Sequence, residues 1–483
     1  ISEDANGRNV AIGKSALTTQ NAGAEAYNVA IGYEAGKAIT TGTGNTFIGG
    51  FAGDALTTGT NNTAIGRSAL TSEDGHGFNV AVGTFSLLNL NAGDNAFNTA
   101  VGYGSGENLT TGTSNSILGG QAGDALTTGS FNMAIGRNAL TAETGASRST
   151  AIGYFALSSQ NKGSGDANNI AIGHSAGESV TTGIQNVIIG NNAGDALTTG
   201  GENTVVGYFA LTAEDEHGKN TAVGARALSA QNAGADAINT AVGYYAGLSM
   251  TTGVSNTILG GQAGDALTTG SYSVAIGHLA LTNEDTGGSN VAIGYKALFN
   301  QDGGVANTVL GYQAGQSITT GDDNTIIGGE AGDALTTGSN NIIIGHDAAA
   351  SAVDVSNEIT LGDANISAFR CADQSIAALS DGRDKTNVKD SSFGLDFIDS
   401  VRPVEFEWDF RPENMSPVKQ GKKRVGFIAQ ELQEAMPNGE NEILDLVYEV
   451  SEDRIEAKYG NLVPILVKAV QELSAKVKEL ESK

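Results

Sequence analysis

A pentamer of the form Asn-Val-Ala-Ile-Gly recurs along most of this chain and limits its fold more than any other feature. The pentamer first occurs at Asn9–Gly13 and last begins at Asn341, with apolar substitutions between, and twenty copies fit. Most copies follow one another after 17 residues, and four intervals are 19 or 20 residues long. The octapeptide Ala-Gly-Asp-Ala-Leu-Thr-Thr-Gly returns about every 70 residues, so four short units form one block. Such periods indicate a stack of repeated structural units.

Each unit favours a short strand followed by a sharp corner. The apolar and β-branched cluster at Thr99–Val101 suits a strand, and the glycine that follows permits the positive φ of a tight turn. No window of 11 residues keeps an apolar period of 3.6, which disfavours helix. We therefore predict a β-solenoid of about 20 coils, which at the spacing of neighbouring strands would be about 95 Å long.

The core of such a rod is thin, because the inward residues are mostly Ala, Val, Ile and Leu. A single chain buries little area per coil, so we expect several chains to associate. The repeats resemble the head repeats of trimeric autotransporter adhesins and similar repeats in phage tail fibres. In those proteins three chains form a left-handed β-roll or a related trimeric β-helix, and the resemblance covers residues 9 to about 345. It implies an all-β homotrimeric rod.

The polar residues that recur in the repeats have structural explanations. We predict that the asparagines heading the coils bond to one another along the rod through their side-chain amides. An aspartate recurs once per block, and we favour turn-stabilising hydrogen bonds over a cation held by three chains, because no second acidic ligand follows it. These aspartates are Asp54, Asp124, Asp195, Asp265 and Asp333.

The histidines follow the pentamer glycine or lie in loops, at positions that other coils fill with varied residues. We expect them to face solvent, and we predict neither a metal site nor a cofactor. The loops Ser72–Gly77 and Ala213–Gly218 depart from the repeated sequence, which fits either tolerated surface loops or host contacts. The five histidines are His76, His174, His217, His278 and His346.

Composition changes near residue 380. All five prolines and the single Trp408 lie after residue 400, whereas only six of 68 glycines lie beyond residue 379. We predict a solenoid rod over residues 1–362, a neck over 363–379, and a small α+β domain over 380–483. The last domain ends in a helix with an apolar heptad seam, as in a short coiled coil that three chains share. The seam consists of Val463, Leu466, Val470, Leu473, Val477 and Leu480.

Three motifs follow one another in this last domain: Leu379–Lys385, Arg402–Trp408 and Gly426–Glu431. In that order they resemble the endosialidase-type intramolecular chaperone domain at the C-termini of phage tail fibres and spikes. The resemblance covers residues 380–483 and implies a domain that trimerises, guides folding of the stalk and then removes itself through a Ser-Lys dyad. The matching residues are Ser380 as nucleophile and Lys385 as general base, and the bond that breaks joins Leu379 to Ser380.

A lysine accepts a proton only when burial or a nearby positive charge favours its neutral form. Arg383 could supply such a charge, whereas Asp381 and Asp384 act in the opposite direction. We expect the lysine to become active only after assembly buries it. The alternative for Ser380 is a role as the cap of a helix or turn.

Charge and composition exclude several classes of function. The formal net charge of −27 argues against nucleic acid and anionic lipid as partners. No apolar run approaches a membrane span, and the single Cys371 excludes an intrachain disulfide framework and a thiolate zinc site. The sequence starts at Ile1 rather than Met, so we expect a longer protein.

These observations predict a segment of a viral tail fibre or spike in the virion, made in the host cytoplasm. The predicted partners are two identical chains, a host-cell receptor that can be a glycan, and tail proteins bound through a preceding region. The only predicted enzymatic activity is a single-turnover serine peptidase. The alternative is a surface adhesin of a bacterium or giant virus whose β-roll is the binding head.

Overall fold

The computed structural model describes most of the chain as two compact units. The first unit comprises residues up to Ile344 together with residues 354–359, and the second comprises residues 345–353 and those from Thr360 onward. Within the described residues, none of the helices is both long enough and apolar enough to cross a bilayer. The described residues are 7–23, 25–366, 370, 380–409, 421, 423–436, 441–451 and 454–483.

The repeats form a parallel β-solenoid, as predicted. Each of the first nineteen strands pairs with the next in parallel, for example Val10 with Val29 and Ile12 with Ile31. Strands β1 to β21 are Val10–Ile12, Val29–Ile31, Thr46–Ile48, Thr63–Ile65, Val80–Val82, Thr99–Val101, Ser116–Leu118, Met133–Ile135, Thr150–Ile152, Ile170–Ile172, Val187–Ile189, Thr204–Val206, Thr221–Val223, Thr240–Val242, Thr257–Leu259, Val274–Ile276, Val291–Ile293, Thr308–Leu310, Thr325–Ile327, Ile342–Ile344 and Ile359–Leu361.

The solenoid has one strand more than the twenty pentamers predict. Strand β21 is preceded by Glu358 where the other coils have asparagine or serine, so the pentamer pattern does not identify it. The 17-residue interval from Asn341 to Glu358 is nevertheless kept, and the Ile342 N–H donates to the Glu358 carbonyl at 2.9 Å. Spacing is therefore a better guide to this coil than residue identity.

The asparagines form the predicted ladder of amides along the solenoid. The backbone N–H of Asn45 donates to Oδ1 of Asn28 at 2.9 Å, and its Nδ2 donates to the carbonyl of Gly59 at 2.9 Å. These side chains are buried, and similar bonds continue to Asn341. Because an unpaired buried amide is costly, the ladder fixes which residue of each coil turns inward.

The core residues also differ in volume between coils. Phe47, the middle residue of β3, fills the space beside two glycines in left-handed conformation, Gly36 and Gly53, both with φ of +57°. A Cβ on Gly53 would lie 2.4 Å from Cε1 of Phe47. In the next coil the middle residue is Ala64, and Leu70 with φ of 52° takes the place of the glycine. A leucine corner thus occurs in a coil whose strand residue is small.

The second unit is a small α+β domain that ends in a long helix, as predicted. Strands β22 and β23 pair antiparallel, as do β24 and β25. The elements are a 3-10 turn at Gly382–Asp384, α1 at Leu395–Ser400, β22 at Val404–Glu407, β23 at Lys423–Gly426, α2 at Ala429–Ala435, α3 at Asn441–Leu444, β24 at Val447–Ser451, β25 at Arg454–Ala457, a 3-10 turn at Tyr459–Asn461 and α4 at Leu462–Glu481. Its core contains Phe397, Leu432, Met436, Leu444, Leu446, Val447, Leu462 and Ile465.

We expect Gly53→Ala to destabilise the solenoid by about 1–3 kcal/mol more than Gly93→Ala, because the new Cβ overpacks against Phe47. Gly93 is the matched control, since its φ is +73° and a Cβ there would meet no atom within 4 Å. Both substitutions carry the cost of a left-handed alanine, about 1–2 kcal/mol. Hydrogen exchange of the affected coils measures the difference, and equal effects would contradict the packing argument.

Candidate active site

The second and third sequence motifs meet in the second unit. Val404 at the start of β22 lies opposite Gly426 at the end of β23. Beside this pair, Nε of Arg402 donates to Oε2 of Glu431 at 3.0 Å, and the guanidinium lowers the pKa of that carboxyl. Two motifs separated in sequence therefore form one continuous surface.

Helix α4 is attached to this domain by polar and apolar contacts. Oε2 of Glu472 accepts the N–H of Leu395 at 2.8 Å, which provides a partner for a free amide at the start of α1. On the same helix Leu462, Ile465 and Ala469 are buried. This packing of α4 against the rest of the domain was not predicted from the sequence. The spacing of three and four residues between those apolar positions is the signal that would have indicated it.

The heptad seam predicted for the C-terminus lies on α4. Within the described residues, its side chains remain exposed. Its six apolar side chains are between 44% and 71% exposed. The helix therefore has two apolar stripes, one packed on the domain and one open to solvent. An open seam of this length is typical of a helix that associates with other helices.

The first motif forms a short turn that brings a hydroxyl and an amine together. Nζ of Lys385 donates to Oγ of Ser380 at 2.6 Å, and both residues are exposed. The turn between them is a single 3-10 turn capped by Asp381, whose Oδ1 accepts the N–H of Arg383 at 2.9 Å. Because Asp381 supplies the cap, the Ser380 hydroxyl is not used for that purpose.

Arg383 is paired with Asp381 rather than directed at the lysine. Its Nε lies 3.0 Å from each carboxylate oxygen of Asp381, and the guanidinium lowers the pKa of that carboxyl. The carboxylate of Asp381 therefore balances the charge of Arg383. From the sequence, that charge was a candidate to favour the neutral form of Lys385. Within the described residues Lys385 stays exposed, so its burial would require another surface.

The turn has the atoms for an intramolecular acyl transfer. A serine hydroxyl becomes a competent nucleophile when an adjacent base removes its proton, and a neutral lysine amine at hydrogen-bond distance can do so. In the predicted cleavage the Ser380 hydroxyl would attack the carbonyl carbon of Leu379, and Leu379 lies outside the described residues. Cys371 also lies outside them.

The comparison with protein families agrees with the resemblance found in the sequence. Residues 380–439 match the model of the S74 peptidase family, described as the chaperone of endosialidase. The match begins at Ser380 and includes all of the second and third motifs. No curated protein and no solved structure matches the chain significantly. The matched segment and the 21 strands of the solenoid together fit a tail-spike-like protein with a C-terminal chaperone.

Proposed function

We propose that this chain is part of a homotrimeric viral tail fibre or spike whose C-terminal domain aligns three chains and then cuts itself off before Ser380. The observation that carries the proposal is the match of residues 380–439 to the chaperone of endosialidase, C-terminal to a long solenoid of similar coils. In this proposal the rod surface attaches to a host receptor, and a preceding region joins other tail proteins. Exposed rings such as Tyr103 and Tyr272 are suited to packing against a glycan.

The repeats give the trimer a problem of register. If one chain slides past another by 17 or about 70 residues, each coil meets a near copy of its former partner, and only contacts at the ends are lost. Misaligned trimers would differ little in free energy, and slow non-local β pairing would make them kinetic traps. A domain without repeats at one end removes this ambiguity, because it brings equivalent points of three chains together first.

A continuous apolar surface on the solenoid supports the association of copies. We call it the apolar ridge, defined as the third residue of each of the strands β1–β20. All of these residues are Ile, Val or Leu, and none of the residues in these strands carries a charge. Ile12, Leu118 and Leu310 are 59%, 48% and 45% exposed. In a chain with net charge −27, such a long uncharged surface favours burial against another chain. An identical ridge on each copy makes self-association the simplest way to cover it.

The proposed cleavage is a single intramolecular reaction. Oγ of Ser380 attacks the carbonyl carbon of Leu379 while its proton passes to neutral Nζ of Lys385. The amine of Ser380 leaves as that proton is returned, and an ester joins Leu379 to Oγ. Water then hydrolyses the ester, which gives a C-terminal carboxylate at Leu379 and a fragment that begins at Ser380. Removal of the aligning domain after the rod closes would make dissociation slow and give the fibre kinetic stability.

We expect Ser380→Ala and Lys385→Ala to reduce the rate of self-cleavage by at least about 100-fold, because each removes one side of the proton transfer. Lys389→Ala and Ser391→Ala are matched controls at exposed nearby positions and should cleave as the parent does. Intact mass and N-terminal sequencing of the purified protein measure the products. Release of a fragment beginning at residue 380 from either dyad variant would refute the dyad.

We expect deletion of residues 380–483 to yield a mixture of oligomers and aggregates, because the repeats alone permit many registers. Light scattering after size exclusion and electron microscopy of the rods measure the distribution. Expression of the full chain with Ser380→Ala is the control, since it keeps the aligning domain attached. A uniform trimer from the truncated chain would refute the role of this domain in alignment.

We expect the double substitution Leu259→Asp and Leu310→Asp to reduce the trimer fraction, because it places charges in the apolar ridge. Tyr244→Asp with Tyr272→Asp is the matched control, since these side chains are also exposed but lie outside the strands. Light scattering at several protein concentrations measures the oligomeric state. A trimer fraction equal to that of the control would contradict burial of the ridge.

A further inference from the structure

The turn at residues 213–218 contains two buried ligand atoms that have no hydrogen-bond partner among the described residues. They are Oε2 of Glu214 and Nδ1 of His217. The Glu214 side chain is fully buried, and Nδ1 of His217 lies 3.6 Å from its other oxygen, which is too far for a good hydrogen bond. One ligand atom from each of Glu214, Asp215 and His217 lies within 4.8 Å of the others. We predicted from the sequence that His217 faces solvent, whereas its Nδ1 is buried.

A glutamate at the same position of the preceding block shows how the protein satisfies such a group. Glu143 is also fully buried, and both of its oxygens accept hydrogen bonds. A side-chain amide from the next coil takes part, which connects the two coils through the carboxylate. The donors are the N–H groups of Gly145, Ala146 and Lys162 and Nε2 of Gln160, at 3.0, 2.7, 3.1 and 3.1 Å.

Glu214 lacks the amide that completes the set at Glu143. The equivalent glutamine, Gln231, donates its Nε2 to the carbonyl of Thr251 at 3.0 Å. The N–H of His217 donates to Oε1 of Glu214 at 3.2 Å, and the backbone N–H of Ala233 lies near the carboxylate, but Oε2 has no donor with hydrogen-bond geometry. Burial raises the pKa of this carboxyl, in line with the cost of a charged oxygen that is removed from water without a partner.

The two unpartnered atoms and the adjacent carboxylate form a recognisable set of ligands. An imidazole nitrogen with carboxylate oxygens suits Zn²⁺ and related divalent transition metals, whereas Ca²⁺ and Mg²⁺ prefer oxygen ligands alone. Ligand atoms on one Zn²⁺ ion are about 3–3.5 Å apart, so a small movement of the partly exposed Asp215 would bring the three together. We propose that Glu214, Asp215 and His217 bind one divalent transition-metal ion, with water at the remaining position.

Two other turns of the solenoid provide internal comparisons. The turn at Glu73 has the same Glu-Asp-x-His sequence, but there Nδ1 of His76 contacts Oε1 of Glu73 at 3.2 Å, so the nitrogen already has a partner. The turn at Glu284 also has a buried carboxylate oxygen without a partner, Oε2 of Glu284, but it has no histidine. Among the described residues, an unpartnered imidazole nitrogen and an unpartnered carboxylate oxygen occur together in the Glu214 turn.

We expect the full chain, freed of metal by a chelator, to bind Zn²⁺ alone and Co²⁺ alone, and His217→Gln to lose one bound ion per chain. The affinity of that site should fall more than about 100-fold, because loss of even an outer-shell partner costs 10- to 100-fold. Isothermal titration and elemental analysis measure the number of ions, and visible absorption of Co²⁺ reports its coordination. Asp215→Asn removes a second ligand at a partly exposed position and should have a similar effect.

His174→Gln and His278→Gln are the matched controls, because these exposed rings stack on Tyr154 and Tyr295 away from the site. They should bind as many ions as the parent, with unchanged circular dichroism in all variants. Failure of the parent to bind Zn²⁺, or an equal number of ions in His217→Gln, would overturn the proposal. Displacement of the ion by an equal concentration of Ca²⁺ would also overturn it, because a site containing nitrogen should prefer Zn²⁺.

Discussion

The hydrogen bond from one coil's asparagine to the next is the interaction on which the solenoid depends. Most of the buried amides have their partners in neighbouring coils, such as Asn28 and Gly59 for Asn45, although Nδ2 of Asn220 has none among the described residues. The same bond in nearly every coil gives a stable stack but contains no information about position along it. Stability and uniqueness of alignment are therefore separate problems in this chain, and a repeat can solve only the first.

In the proposed trimer, the apolar surfaces of the two units would act at different stages of assembly. The ridge on the strands is long and nearly uniform, so it can cover itself against another copy in many registers. The seam on α4 is short, and this helix is attached to the rest of the domain through Glu472 and Ile465. A short seam on a fixed support has few alternative alignments, which suits a domain that aligns chains before the ridge is buried.

Periodicity was sufficient to predict the solenoid, the strand at Thr99–Val101 and the ladder of amides, because each follows from contacts between neighbouring coils. It did not predict β21, since Glu358 replaces the residue that heads the other coils. It also missed the burial of Glu214, because a glutamate in a polar loop is ordinarily exposed. In the second unit the pairing of Arg402 with Glu431 depends on chain contacts across 29 residues, which no local pattern encodes.

The order of core residues along the solenoid has a consequence for how such a chain can change in length. Large strand residues such as Phe47 occur in coils with a glycine corner, and coils with a leucine corner have a small strand residue such as Ala64, in an order that repeats every four coils. Gene duplication or loss of a whole block would preserve every neighbour, whereas gain of a single coil would break the four-coil order. We therefore expect related fibres to lengthen and shorten in steps of about 70 residues.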